Sequence, residues 1–498
     1  MVHRRVFTAR NKQAAFCAGL VFILAFAAFA AFFRLDAAGV NSWDEARHGV
    51  NAYEMMKTGN WIVNLYRYKP DYWNLKPPLS FWAIMLGFRL FGTTVLALRF
   101  YAALSMFATV LLVARFVYKR YGRVACLAAS AVLATESILY RFHYGRSGDA
   151  DALFGFLCTL CVLSLFWSQK DRRWLFLSGF SFSLAFLDKS WHACILLAVA
   201  GLFLLLSGRL FHLGGRIWAG TLACAFGPVA IWAGLRYAAD GTAFFRGMID
   251  RDLLARSSRP LEGHGGGILY YVNETLFQNS LGLLMLVALV CLLLWLAFRH
   301  GRVSASTRTD ALLFFLWIVI PFVFFSLAET KYSWYILPTV IPLSIVGGVA
   351  CGYAWSQART TAFRIIAVAL SGVAVYAVAG NAYCTVSVVM SGSVSPIQQF
   401  LRGPVAADAR GRTAYLADTN GGDWQQDEIY VGEAYADLRC MDGGLTAFAK
   451  DSSGVAIVNA KRCSAQEATA GGLHVRAQQD GFLLLTHADA ARHPRPGL

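Results

Sequence analysis

The segment NSWDEARHGV, Asn41 to Val50, sets Asp44 and Glu45 side by side, with Arg47 and His48 just behind, after an apolar run that ends at Phe33. A carboxylate can take a proton from a hydroxyl, and a guanidinium can hold a phosphate through paired hydrogen bonds. NLKPPLSFW puts Lys76 before Pro77 and Pro78, whose rings fix φ and keep the preceding chain extended. YGRSGDADALF offers Arg146, Asp149 and Asp151 at the head of another apolar run. LDKSW offers Asp188 and Lys189, and ETKYSWYILP offers Glu329, Lys331 and Tyr335. Each has a structural alternative. Asp149 or Asp151 can cap the helix that follows, Lys189 can reach out to headgroups, the Lys-Pro-Pro element can be a rigid turn, and Asp44 and Glu45 can be solvated loop residues. Together they argue for a site, because ionisable groups at membrane depth are expensive unless used.

The elements that must position these groups are membrane spans. The chain has 498 residues, 57% hydrophobic and 15% charged, against about 45–50% and about 25% in soluble domains. Eleven apolar runs approach span length, near residues 14–33, 96–117, 123–141, 151–168, 174–188, 190–207, 216–237, 279–298, 310–328, 333–355 and 362–386. The run 78–92 is short and interrupted by Arg89, which suits an interfacial helix. The first run lacks a signal-peptide cleavage site, so the N-terminus is expected to stay attached. Alternate connectors such as YKRYGR, SQKDRR and SGRLFHLGGR are basic and nearly acid-free, which marks the cytoplasmic side. That distribution accounts for the net charge of +16 without nucleic acid. The other connectors carry nearly all the acidic loop residues and face the opposite compartment.

The expected organisation is a transmembrane domain over residues 1–389 and a soluble extracytoplasmic domain over 390–498. Residues 34–95 form a first loop with juxtamembrane helices, and 238–278 form a long basic loop. Loops of that length often act as lids. This one is expected to order on a bound phosphate through Arg256, Arg259 or His264, the alternative being a solvated loop near anionic headgroups. In the tail, RTAYLAD, EIYVGEA, GVAIVNA and GFLLLTH read as strands of a small α/β fold. Most of the 11 cysteines lie in apolar runs and no CxxC pair occurs. Cys440 and Cys463, in the tail, are expected to form a disulfide.

The order of an Asp-Glu after the first span, KPPL, the Arg/Asp loop, Lys189 and KYSWYILPTVIPL resembles the GT-C glycosyltransferases of the protein O-mannosyltransferase family. It is most similar to the bacterial aminoarabinose transferase branch that modifies lipid A. The likeness runs from residue 14 to about 350. It implies a GT-C-like fold in a bacterial inner membrane, with the active site and tail in the periplasm. It also implies a polyprenyl-phosphate-linked sugar donor. By resemblance Asp44 is the catalytic carboxylate, with Glu45, Asp151 and Asp149 as the other candidates. Arg47 and Lys76 are contacts to the donor phosphate, and Arg146, Lys189, Arg256 and Arg259 are further candidates for that contact. Lys331 and Tyr335 belong to the pocket, and His264 of the long basic loop is counted with them on the reading of that loop. The family often has a Glu before Lys-Pro-Pro as part of a metal site. Leu75 stands there, so no metal or other cofactor is expected.

The reading is a monomeric glycosyltransferase that transfers a sugar to lipid A or another envelope lipid or glycan. The alternatives are a protein acceptor, as in protein O-mannosyltransferases, and a non-catalytic lipid-sugar transporter. Neighbouring side chains on a helix point about 100° apart. Asp44 and Glu45 therefore suit a single displacement with inversion better than a paired-carboxylate double displacement.

Overall fold

A computed structural model describes residues 2–141, 143–274, 281–299, 304–418 and 422–487. The start of the expected span 279–298, the end of the expected lid at 275–278, and residues 488–498 of the tail include positions outside this set. The chain is mostly helical and divides into two compact units.

The first unit comprises Met1–Phe33, Leu75–Ser80 and Ala102–Met390. Among the described residues of the chain, eight helical stretches are long and apolar enough to cross a membrane, and the protein is a multi-pass membrane protein. In lipid every backbone polar group must be satisfied within the segment, which is why the long apolar runs are helices. Those used here are α1 (Val2–Phe32), α4 (Val95–Tyr121), α5 (Arg123–Thr135), α6 (Asp151–Ser168), α7 (Trp174–Lys189), α8 (Cys194–Leu206) and α9 (Gly215–Asp240); α2 and α3 belong to the first loop and are described below. The helices Ala305–Leu327, Val340–Ser356 and Thr361–Met390 follow. The stretch 174–206 is two helices, α7 and α8, joined by the 3₁₀ turn Ser190–Ala193. Small residues set one close crossing, between Val340–Ser356 and α5. A Cβ on Gly348 would lie 2.5 Å from Ala129 of α5, so glycine allows the near-contact of backbones that drives helix association in lipid.

The second unit comprises Arg34–Asn74, Phe81–Tyr101 and Ser391–Leu498. It joins first-loop segments to the tail in one body. Helix α2 (Asp44–Thr58) packs on the tail helix Gln426–Ala436. At the closest point a Cβ on Gly49 would lie 2.5 Å from the Tyr430 ring. Tyr53 donates to Asp437 at 2.8 Å, Lys57 pairs with Asp437 at 2.8 Å, and Arg67 pairs with Asp442. Tyr430 donates to the Thr94 carbonyl at 3.1 Å. Helix α3 (Leu79–Phe91), expected as a short interfacial helix, buries Ile84, Met85 and Phe88 and exposes Leu86 and Leu90.

The tail sheet is mixed, in the order β4-β3-β5-β7-β6. Its strands are β3 (Thr413–Ala417), β4 (Arg439–Met441), β5 (Val455–Asn459), β6 (Leu473–Gln479) and β7 (Phe482–His487), while β1 (Leu65–Tyr66) and β2 (Lys69–Pro70) form a small hairpin in the first loop. β3 runs parallel to both β4 and β5, and β7 runs antiparallel to β5 and β6. EIYVGEA, expected as a strand, lies in the helix Gln426–Ala436. That helix is started by a capping box in which Gln425 and Glu428 satisfy each other's backbone N–H groups. The expected disulfide is not formed. Cys440 and Cys463 are free thiols, the Cys440 sulfur facing Gly432 of the tail helix and Cys463 packing on the core around Tyr415 and Phe448.

Candidate functional site

In the second unit, Asp44 begins α2 and is half-buried. The residue before it, Trp43, has φ 72° and ψ −122°, a conformation a bulky side chain rarely adopts and one that points to a functional constraint. Glu45 is buried and committed. Arg99 donates to it twice, Nε to Oε1 at 2.6 Å and Nη2 to Oε2 at 2.9 Å, and Asn41 donates its backbone N–H at 2.9 Å and its Nδ2 at 3.1 Å. Arg47 is committed as well. Its Nε and Nη2 donate to the two oxygens of Asp71 at 2.8 and 2.7 Å, and its guanidinium lies over Tyr66 and Trp73. Burial alone would raise the Asp71 carboxyl, but Arg47, Asn51 and the Trp73 N–H hold it below its ordinary value.

The first unit gathers the other candidates. Asp151 opens α6 without capping it, since the N-cap position is Ala150 and no side chain bonds there. Its carboxylate instead forms a buried ion pair with Lys189, whose ammonium lies 5.2 Å over the Tyr335 ring. Lys189 is therefore held inside the protein and does not reach out to headgroups. Ser190, directly after it, has φ 47° and ψ −124°. Arg256 donates to Asp252 at 3.2 Å and to the Tyr335 hydroxyl at 3.4 Å. Lys76, half-buried, lies within electrostatic reach of Asp188, His192 and Asp252. The His192 ring meets Tyr335 edge-on at 4.5 Å. Lys189 and Arg256 thus meet at the Tyr335 ring, and Lys76, from a third segment, lies within electrostatic reach of the neighbouring His192.

Asp149 accepts from Ser147 at 2.5 Å and lies 3.2 Å from His143 Nδ1. The His143 ring is stacked on Trp334 at 3.8 Å. Arg146 donates to the Ala30 carbonyl at the end of α1, and Lys331 donates to the Ala328 carbonyl. The basic loop is stitched to the segment after Ala305–Leu327. Thr330 N donates to Arg256 O at 3.0 Å, Lys331 N to His264 O at 3.1 Å, and the Tyr332 hydroxyl to Glu262 at 2.6 Å. Burial and that bond push the Tyr332 hydroxyl up to about 12. Burial raises the Asp252 carboxyl, opposed by Arg256 and Lys76. Arg259 and His264 are exposed. Asp151 is a poor cation ligand here, because Lys189 already occupies it. Leu75 is buried and offers no ligand atom.

Sequence reasoning passed over Asp252 and His192. Each left a signal, Asp252 as the acid four residues before Arg256 and His192 as an ionisable group inside an apolar run.

The chain is similar over its length to a solved membrane protein, ArnT from Cupriavidus metallidurans bound to undecaprenyl phosphate. The TM-score is 0.69 at 15% identity, over 96% of this chain and 99% of that one. The chain shares the fold of that protein. A second likeness in fold is to the archaeal oligosaccharyltransferase AglB from Archaeoglobus fulgidus, in complex with an inhibitory peptide and a dolichol-phosphate. There the TM-score is 0.52 at 10% identity, over 90% of this chain and 70% of that one. A family model described as dolichyl-phosphate-mannose-protein mannosyltransferase matches residues 75–232. Curated relatives named undecaprenyl phosphate-alpha-4-amino-4-deoxy-L-arabinose arabinosyl transferase include one from Pseudomonas savastanoi pv. phaseolicola, 27% identical over 65% of this chain and 59% of that protein. Another, from Sodalis glossinidius, is 27% identical over 61% of this chain and 53% of that protein. The matches thus span between half and three-fifths of these relatives' length.

Proposed function

We propose that this GT-C protein is a membrane glycosyltransferase that moves a sugar from a polyprenyl-phosphate donor to lipid A or another envelope lipid or glycan, with inversion. The observation that carries the reading is the meeting of Lys189 and Arg256 at Tyr335, with Lys76 within electrostatic reach of the adjoining His192, in one membrane-embedded unit. Partly buried cations of this kind suit a lipid phosphate, whose charge grows as its bond to the sugar breaks. The relatives' names and the undecaprenyl phosphate bound to the similar ArnT support the same donor class.

In the reaction proposed, the acceptor hydroxyl attacks the anomeric carbon and the carbon–oxygen bond to phosphate breaks. Polyprenyl phosphate leaves with one more negative charge, and the hydroxyl proton passes to a carboxylate, the role that the sequence resemblance gives to Asp44. Lys76 and Arg256 hold the phosphate, and the Asp151–Lys189 pair fixes the Lys189 ammonium over Tyr335. A double displacement would use a closely spaced carboxylate pair. Glu45 is bound by Arg99 and Asn41, so the two neighbours do not act as a carboxylate pair, which favours inversion. We assign Glu45, Arg47 and Arg146 to holding the fold, because each already has protein partners. The basic connectors favour a periplasmic site.

The match to the mannosyltransferase family model favours one second reading, in which the acceptor is a protein. Mass spectrometry of envelope lipids and proteins from a deletion strain separates the two. The donor class is tested by binding of undecaprenyl phosphate to the purified protein. Lys76→Ala is expected to weaken both binding and transfer, and unchanged binding would count against the assignment.

A further inference from the structure

Trp43 stands where stability disfavours it. It is the N-cap residue of α2, and its side chain makes no capping hydrogen bond, at a position that Ser, Thr, Asp, Asn or Gly fills best. Its φ of 72° and ψ of −122° suit glycine and strain a bulky side chain. The indole is 62% exposed, so little burial offsets these costs. What it does have is a second indole beside it. The Trp73 ring lies 6.0 Å away at 37°, and Trp73 is braced in turn by the Arg47 guanidinium, 4.5 Å from its centroid, which Asp71 holds. A pair of indoles is thus presented in the first loop, and Asp44 directly follows one of them.

We infer that Trp43 is an acceptor-binding residue whose indole, braced by Trp73, stacks on a sugar ring of the acceptor and sets that ring beside Asp44. This rests on the glycosyltransferase reading above and favours its lipid or glycan acceptor over a protein. A pyranose turns a row of C–H groups to one side, apolar and slightly positive, which fits the negative face of an indole. The side chain of a serine or threonine has no such face. Stacking needs an exposed ring at a fixed angle, and a strained backbone braced by a second ring fixes one. An anchor in the membrane interface needs only exposure, which an unstrained position supplies equally well.

The test is binding of three probes to the full-length protein in detergent, with thermal unfolding of each variant. Lipid A carries sugar rings, phosphatidic acid carries phosphate and acyl chains without sugar, and undecaprenyl phosphate reports the donor site. Trp43→Ala and Trp43→Leu are each expected to weaken lipid A binding roughly tenfold, the loss of one stacked ring, and to leave the other two probes unchanged. Trp43→Tyr keeps an aromatic face and should stay within about threefold of wild type. Trp43→Gly should lose lipid A as Trp43→Ala does and yet melt no lower than wild type, because glycine adopts this backbone without strain. Unchanged lipid A binding in Trp43→Ala would overturn the inference. Equal losses of lipid A and phosphatidic acid, or wild-type affinity in Trp43→Leu, would overturn it in favour of a lipid anchor. A Trp43→Gly protein that melts well below wild type would overturn it by showing a structural role. Failure of wild type to bind lipid A would overturn it too, while binding of undecaprenyl phosphate would keep the donor reading; failure of both probes would defeat that reading as well.

Discussion

Glu45→Gln separates the two neighbouring carboxylates. In wild type the Glu45 oxygens receive two bonds from Arg99 and two from Asn41, and both charged partners are about 99% and 98% withdrawn from solvent, with exposures of 1% for Glu45 and 2% for Arg99. Removing one partner of a buried pair costs about 3–5 kcal/mol, because the remaining charge is left uncompensated. Arg99 keeps the carbonyls of Leu35, Ala38 and Gly39 at 2.7–3.0 Å, which places the loss at the lower end, about 3 kcal/mol. For a unit of this size that lowers the melting temperature by roughly 6–12 °C. Arg99→Met should cost a similar amount. The double variant should cost clearly less than the sum, because each change removes the same interaction. The assay is thermal unfolding of the purified, monodisperse proteins, with transfer measured well below the transition. Transfer per folded molecule should stay near normal in Glu45→Gln. A Glu45→Gln protein as stable as wild type that has lost transfer would refute the structural role and put Glu45 in the chemistry.

Asp44→Asn should lower single-turnover transfer per folded molecule by roughly 10²–10⁴, the range for a lost general base; normal transfer would pass the role to Asp151. Glu54 and Glu433 face each other in the second unit, and burial raises both carboxyls above the ordinary value; the charge of Glu54 adds to this at Glu433, while the Tyr68 and Arg67 N–H groups and the bond to Glu433 oppose it at Glu54. Their raised folded values mean that stability is fully present below the unfolded value of about 4.3 and is lost as pH rises through the folded values. Melting temperature should therefore fall from pH 5 to pH 8, and Glu433→Gln should flatten that fall. Gly49→Ala would press a methyl group into the Tyr430 ring at 2.5 Å, costing about 1–3 kcal/mol in thermal unfolding; an unchanged melting temperature would show that the helix contact yields.

The class of the protein follows from its sequence for a simple reason. An apolar run of span length in lipid has one way to satisfy its backbone, so the spans and the resemblance to GT-C proteins were legible without coordinates. The residue types able to do chemistry were legible as well, because acids and bases stand out against apolar runs. Their partners were not. Arg47 goes to Asp71, 24 positions away, and Glu45 to Arg99, 54 positions away. Charges choose partners by distance and desolvation, and neither is written in the order of the chain. Tertiary contact likewise decided that EIYVGEA is helical, where a short apolar segment is ambiguous between strand and helix. Packing also set Cys440 against the tail helix and Cys463 on another core. The sequence by itself determined that this is a membrane protein with charged groups to use. Only the folded structure decided which of them are occupied in holding it together, because occupation is a property of the neighbours that folding brings within reach.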